Sequence, residues 1–239
     1  SAKKIDFEVF NVNNEEGQVV SLPIAKGKIS NATWSLNTNK VLLKVSNGYY
    51  MVDLGQTKIT VTALPLLNGA TQVNFYPQND DELFFIRGKD LYWTTKAIPI
   101  IKNVATYDIN NQNITWLSYD GLLYQGDLTG VQTNKISNKA FEIKKGALYE
   151  VKAMGGLTFL KENAGLFFLN KDIKTFEVFY DKATNMKSSP DGQRILYFND
   201  HQVITSSSEK NHQDTILLDS YTDTISDCYW LNNHYFVVS

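Results

Sequence analysis

Apolar residues in this chain fall in short runs bounded by asparagine, glycine, aspartate and serine, a spacing that predicts strands joined by turns. The clearest runs are Val41-Leu42-Leu43-Lys44-Val45, Leu83-Phe84-Phe85-Ile86, Ile114-Thr115-Trp116-Leu117, Leu157-Thr158-Phe159-Leu160, Ile195-Leu196-Tyr197-Phe198 and Tyr235-Phe236-Val237-Val238. Their starts lie 42, 31, 43, 38 and 40 residues apart. Several are apolar at consecutive positions, which is how a strand covered on both faces reads.

The surroundings of each run repeat as well. In the first unit Ile29 to Trp34 leads in, Asn37-Thr38-Asn39 turns, Val41 to Val45 crosses, Asn47-Gly48 makes a hairpin, Tyr49 to Leu54 returns and Lys58 to Leu64 follows. Asn-Gly between apolar runs suits a hairpin because both central residues take positive φ. The second unit has Val73 to Tyr76, Leu83 to Ile86, Leu91 to Thr94 and Ile98 to Ile101, and the third has Thr106 to Ile109, Ile114 to Leu117, Leu122 to Gly126 and a weak strand near Val131. The fourth runs through Ala147 to Ala153, Leu157 to Leu160, Leu166 to Leu169 and Phe176 to Tyr180. The fifth runs through Thr184 to Lys187, Ile195 to Phe198, Val203 to Thr205 and Thr215 to Leu218.

A period of roughly 40–45 residues with several short strands per unit is that of a β-propeller blade. The expected fold is therefore all-β: one domain over residues 1–239, a six-bladed β-propeller of four-stranded antiparallel blades. Its sixth blade would be split between the termini, with Ile225 to Trp230 and Tyr235 to Val238 continuing into Ile5 to Val12 and Gln18 to Leu22. In that arrangement Val237-Val238-Ser239 followed by Lys3-Lys4-Ile5 parallels Val45-Ser46-Asn47, and closure removes unpaired edges. A seven-bladed ring of which this chain holds a portion is the alternative. A helix over 137–154 is disfavoured by Gly146 and the β-branched residues.

Lys187-Ser188-Ser189-Pro190-Asp191-Gly192-Gln193-Arg194-Ile195 resembles the Ser-Pro-Asp-Gly motif of TolB-type, WD40-like (PD40) propeller repeats. Proline presets φ, aspartate caps the backbone and glycine takes the left-handed position. Ser35-Leu36-Asn37-Thr38-Asn39, Tyr76-Pro77-Gln78-Asn79-Asp80 and Leu231-Asn232-Asn233 are degenerate versions at the same place. The resemblance implies a periplasmic or cell-surface scaffold, or the non-catalytic propeller of a prolyl-oligopeptidase-like enzyme. Similar bacterial arrays follow small surface-associated domains such as PEGA, so the expected location is extracytoplasmic or at the cell surface. The motif is a structural turn and carries no catalytic residue with it.

Composition agrees with strands and turns: 13 Tyr, 13 Phe and 4 Trp favour strands, and the 23 asparagines lie mostly between apolar runs. With 23 basic against 25 acidic residues the net charge is −2, and the longest basic clusters are the pairs Lys3-Lys4 and Lys144-Lys145. No nucleic-acid partner is expected from such a surface. No stretch reaches the apolar length of a membrane helix and no signal-peptide pattern is present, so membrane insertion by this chain is not expected. The single cysteine, Cys228, reads as a small buried hydrophobe.

Candidate chemistry is sparse. His201, His212 and His234 have no partner at metal-ligand spacing, and Ser206-Ser207-Ser208 lies in a polar loop without a nucleophile elbow. Six-bladed sialidases use an Asp-box that Ser189-Pro190-Asp191-Gly192 does not match, and an arginine triad is impossible with only Arg87 and Arg194. Asn31-Ala32-Thr33 and Asn113-Ile114-Thr115 match a glycosylation pattern by chance in so asparagine-rich a chain.

No catalytic, cofactor-binding or metal-ligating residue is assigned, no cofactor is expected, and the residues that bind a partner are left unknown. The reading is a monomeric, non-catalytic scaffold whose rim loops engage a protein or a surface polymer. The alternative is a carbohydrate-active enzyme using paired acids among Asp53, Asp120, Asp127 and Asp80-Asp81-Glu82 at the channel, with sugar stacking on Trp34, Trp93, Trp116 or Trp230. Inter-blade packing is the competing role for each tryptophan.

Overall fold

A computed structural model describes residues 5–11, 16–22, 27–37, 39–46, 48–56, 58–110, 112–154, 157–183, 185–207 and 216–239. Lys3, Lys4, Val12, Thr38, Asn47, Thr184, Ser208, His212 and Thr215, all named above, lie outside the described residues. The chain divides into two compact units, 1–102 and 103–239.

In the first unit β1 (Ile5–Asn11) and β2 (Glu16–Leu22) form a two-stranded antiparallel sheet. A four-stranded meander follows, β3 (Ile29–Trp34), β4 (Lys40–Val45), β5 (Gly48–Asp53) and β6 (Thr60–Ala63). A 3-10 turn at Pro65–Leu67 leads to the three-stranded sheet β7 (Ala70–Tyr76), β8 (Asn79–Arg87) and β9 (Asp90–Trp93).

The second unit holds three four-stranded meanders. The first is β10 (Val104–Asn110), β11 (Asn113–Ser118), β12 (Leu123–Asp127) and β13 (Thr133–Lys135). The second is β14 (Tyr149–Met154), β15 (Leu157–Glu162), β16 (Gly165–Asn170) and β17 (Thr175–Tyr180). The third is β18 (Asn185–Ser188), β19 (Arg194–Phe198), β20 (Gln202–Ser207) and β21 (Ile216–Ser220). The hairpin β22 (Cys228–Trp230) and β23 (Phe236–Val238) ends the chain.

Six uniform four-stranded blades are therefore not what forms. Five sheets have the three or four strands of a blade, and the two terminal pairs are separate two-stranded sheets. The seven-bladed alternative fares no better against this strand count. Two physical reasons account for the difference. The predicted outer strand at Ile98 to Ile101 contains Pro99, which has no N–H to give to a ladder. That segment makes only an isolated bridge, with Leu91 N–H donating to Ile101 O at 2.8 Å and Ile100 N–H to Leu91 O at 2.9 Å. At the C-terminus the chain folds back on its own hairpin instead of extending. Ser226 N–H donates to Ser239 O at 2.7 Å and Ser239 N–H to Asp227 O at 2.9 Å. The stretch 137–154, where a helix is disfavoured, forms none and runs irregularly into β14.

The consecutive apolar runs do what their pattern implies: alternate residues of one strand feed different cores. On β4, Leu42 packs with Val73, Phe75 and Phe85, whereas Val41, Leu43 and Val45 pack with Val20 and Leu22. On β19, Ile195 and Tyr197 join Phe159 and Leu166, while Leu196 and Phe198 join Val203, Ile225 and Cys228. Each fully buried side chain of this size contributes roughly 1.5–3 kcal/mol.

Candidate binding cleft

The turns between first and second strands share one construction. In 189–194, the Ser189 hydroxyl donates to Asp191 Oδ1 at 2.6 Å, while Gln193 N–H donates to Asp191 Oδ1 and Arg194 N–H to Ser189 Oγ, both at 3.0 Å. Gly192 takes φ 69°, the left-handed value the Pro-Asp-Gly pattern requires. Ser35 repeats the arrangement with asparagine: its hydroxyl donates to Asn37 Oδ1 at 2.8 Å, Asn39 N–H to Asn37 Oδ1 at 3.1 Å and Lys40 N–H to Ser35 Oγ at 3.0 Å. Asn79 and Asn232 accept similarly, from Asp81 N–H at 3.1 Å and His234 N–H at 2.8 Å.

These turns and those between third and fourth strands lie at one end of each meander, because consecutive antiparallel strands reverse direction. In the second unit that end carries exposed Val131, Ile173, Leu231 and Tyr235. Between the β10–β13 and β14–β17 sheets it opens into a cleft of about 550 Å³. Its lining is apolar at Ile136, Ala153, Met154, Leu157 and Leu169 and polar at Lys135, Lys171, Lys174, Asn110, Gln125, Asn134 and Thr158. Among the described residues no carboxylate lines it.

Two contacts fix the sheets around this cleft. Asp108 on β10 accepts from Lys152 Nζ at 3.0 Å and from Ala153 N–H at 2.9 Å, both on β14. Burial alone would lower the Lys152 ammonium, but the Asp108 and Glu150 carboxylates outweigh it and hold the group above the ordinary lysine range. Farther along, Asn138 N–H donates to Lys174 O at 2.7 Å.

The acids named from the sequence sit elsewhere and act in turns. Asp53 accepts from Gly55 N–H at 2.9 Å and Asp120 from Leu122 N–H at 2.9 Å. Asp127 accepts from the Thr129 hydroxyl at 2.8 Å and from Thr129 and Val131 N–H, bonds that hold its carboxyl below the usual range. Asp80 and Asp81 both pair with Lys40, and Glu82 accepts from Asn79 Nδ2 at 2.8 Å. His201 and His234 lie in turns. Lys144 bonds Glu162 at 2.8 Å.

Three tryptophans pack: Trp93 stacks on Phe84 at 5.1 Å, Trp116 on Tyr124 at 5.5 Å, and Trp230 donates its indole N–H to Lys187 O at 3.2 Å. Trp34 is half exposed. Cys228 is fully buried, and burial pushes its thiol up to about 11. Among the described residues no group of three or more His, Cys, Asp or Glu could hold a metal ion, and no helix is long and apolar enough to cross a membrane. The cleft lysines escaped sequence reasoning because their convergence depends on two sheets packing. Lys135 on β13 and Lys171 and Lys174 in the β16–β17 turn share no motif.

No protein-family model matches the chain, and no curated protein matches it in sequence. Solved structures do. The chain is similar to the β-propeller domain of Cps50 (Swd1) from Myceliophteria thermophila, at 10% identity and a TM-score of 0.60, covering 96% of this chain and 85% of that one. It is also similar to a chain in the structure of the Mitotic Checkpoint Complex, at 11% identity and a TM-score of 0.63, covering 99% of this chain and 78% of that one. At such identities the likeness speaks to fold alone: the chain has a β-propeller fold, with five blades of three or four strands and shorter terminal sheets.

Proposed function

We propose that this chain is a non-catalytic interaction module that engages a partner protein through the turns at one end of its blades. The observation carrying the proposal is that several turns of the second unit hold large apolar side chains exposed. Val131 is 81% exposed, and Ile173, Leu231 and Tyr235 are exposed with it. Apolar groups held out on a rigid sheet end stabilise nothing in the monomer and suit a partner's surface. The presence of a similar chain in a multi-protein assembly supports the same reading. The carbohydrate-active alternative loses its motivation, because Asp53, Asp120 and Asp127 cap turns and three of the four tryptophans pack against their neighbours.

A monomeric state and an extracytoplasmic location accompany this proposal, and a TolB-type kinship rests on the Ser189–Gly192 turn. The test is affinity capture from native extract with the wild type and with a V131S/I173S/L231S/Y235S variant of unchanged circular dichroism. The expected result is a partner retained by the wild type and lost by the variant. Equal retention by both would overturn the proposal.

A further inference from the structure

The cleft between the β10–β13 and β14–β17 sheets has a lining that selects among ligands. Lys135, Lys171 and Lys174 contribute three ammonium groups, and none takes part in an ion pair among the described residues. Elsewhere in the molecule Lys40, Lys144, Lys152 and Lys187 each have a carboxylate partner. The cleft lining thus gathers three lysines and, among the described residues, no carboxylate, beside apolar Ile136, Met154 and Leu157. Lys174 also holds a left-handed φ of 54°, uncommon for a non-glycine residue.

The lining also excludes. Among the described residues it contains no aromatic ring, so neither a nucleobase nor a sugar has a face to stack on. It contains no arginine among the described residues, so bidentate, forked recognition of a phosphate is not available there, although its lysines could still meet one as point charges. Side-chain amides of Asn110, Gln125 and Asn134 can both donate to and accept from a peptide backbone. The volume lies within the roughly 300–1,000 Å³ of ordinary ligand sites, and the Asp108 bridge to Lys152 and Ala153 holds the walls before anything binds.

We propose that this cleft docks an extended acidic peptide segment of a partner protein, its carboxylates on Lys135, Lys171 and Lys174 and an intervening apolar side chain on Ile136, Met154 and Leu157. The proposal rests on the reading that the turn end is the binding face.

The test uses fluorescence anisotropy with a labelled octapeptide alternating aspartate and leucine. Its asparagine–leucine counterpart, an all-glutamate octapeptide and a single-stranded oligodeoxynucleotide serve as comparisons. Saturable binding of the aspartate–leucine peptide is expected, weaker for the other three, and falling as salt rises. K135Q/K171Q/K174Q, on exposed positions that leave the fold intact, should weaken it about tenfold to a hundredfold, since each exposed ion pair is worth up to a few-fold. No saturable binding, equal binding of the asparagine peptide, preference for the oligonucleotide, or an unaffected lysine variant would each overturn the proposal. Capture separates the two readings. If the lysine variant keeps the native partner while the apolar turn variant loses it, the cleft assignment fails and the turn-end reading stands. If both variants keep it, both fail.

Discussion

Replacing Asp108 with alanine removes a carboxylate that ties β10 to β14. Asp108 is 9% exposed and accepts two bonds, one from a backbone N–H and one from an ammonium. A hydrogen bond to a charged group is worth about 1.5–3 kcal/mol. Loss of the ion pair adds less, because the Lys152 side chain is 38% exposed and solvent screens the orphaned charge, so about 1 kcal/mol is a ceiling. The sum is about 3 kcal/mol for D108A. D108N keeps an acceptor for Ala153 N–H and should cost about half as much. For a unit of this length 1 kcal/mol corresponds to roughly 3–4 °C, so D108A should lower Tm by about 10 °C.

The assay is urea unfolding with a double-mutant cycle through K152M. Coupling of about 1 kcal/mol is expected, disappearing at high pH. The sign follows from Lys152 being raised in the folded state: its contribution is whole below the ordinary lysine range and is lost as pH climbs through the folded value. A D108A loss below about 0.5 kcal/mol, or zero coupling at neutral pH, would refute the reasoning.

Two other outcomes are expected. Gly121 has φ 82°, and a Cβ there would sit 2.0 Å from Phe141 O, in the strip where Phe141 packs on Phe167 at 4.9 Å; Gly69 has φ 78° with nothing within 4 Å of such an atom. G69A should therefore cost only the conformational term of about 1–2 kcal/mol, and G121A at least about 1 kcal/mol more, measured by thermal unfolding. Equal losses would mean that Phe141 yields freely. Cys228, buried with its thiol near 11, should resist a thiol reagent at pH 8 in the native state and react fully in urea; rapid native labelling would show that the terminal hairpin opens readily.

The strands were legible because each central run is short, apolar and bounded by turn formers, and Ser189 and Ser35 announced the same turn through different residues. Less legible was strand number. Pro99 sat in plain view inside Ile98-Pro99-Ile100, and its missing donor, weighed against the repeat, would have removed the fourth strand of that sheet. The split blade drew on similarity between Val237-Val238 and Val45, but a three-residue strand such as Phe236–Val238 has few ladder groups, and Ser239 turned its own back toward Asp227. The cleft lay beyond reach for another reason. Its lysines are ordinary surface residues until two sheets bring them together.

The serine-anchored turns also bear on how such a molecule can change. In each, the side-chain bonds that close the turn run among residues on either side of the tip, and the tip side chain takes no part in them: Leu36 stands 79% exposed where the other copy has Pro190. The fastening and the outward-facing position are chemically independent. New side chains can be tried at the tips without renegotiating the fold, blade by blade, and a face assembled from such positions can drift toward a different partner while the sheets behind it stay as they are.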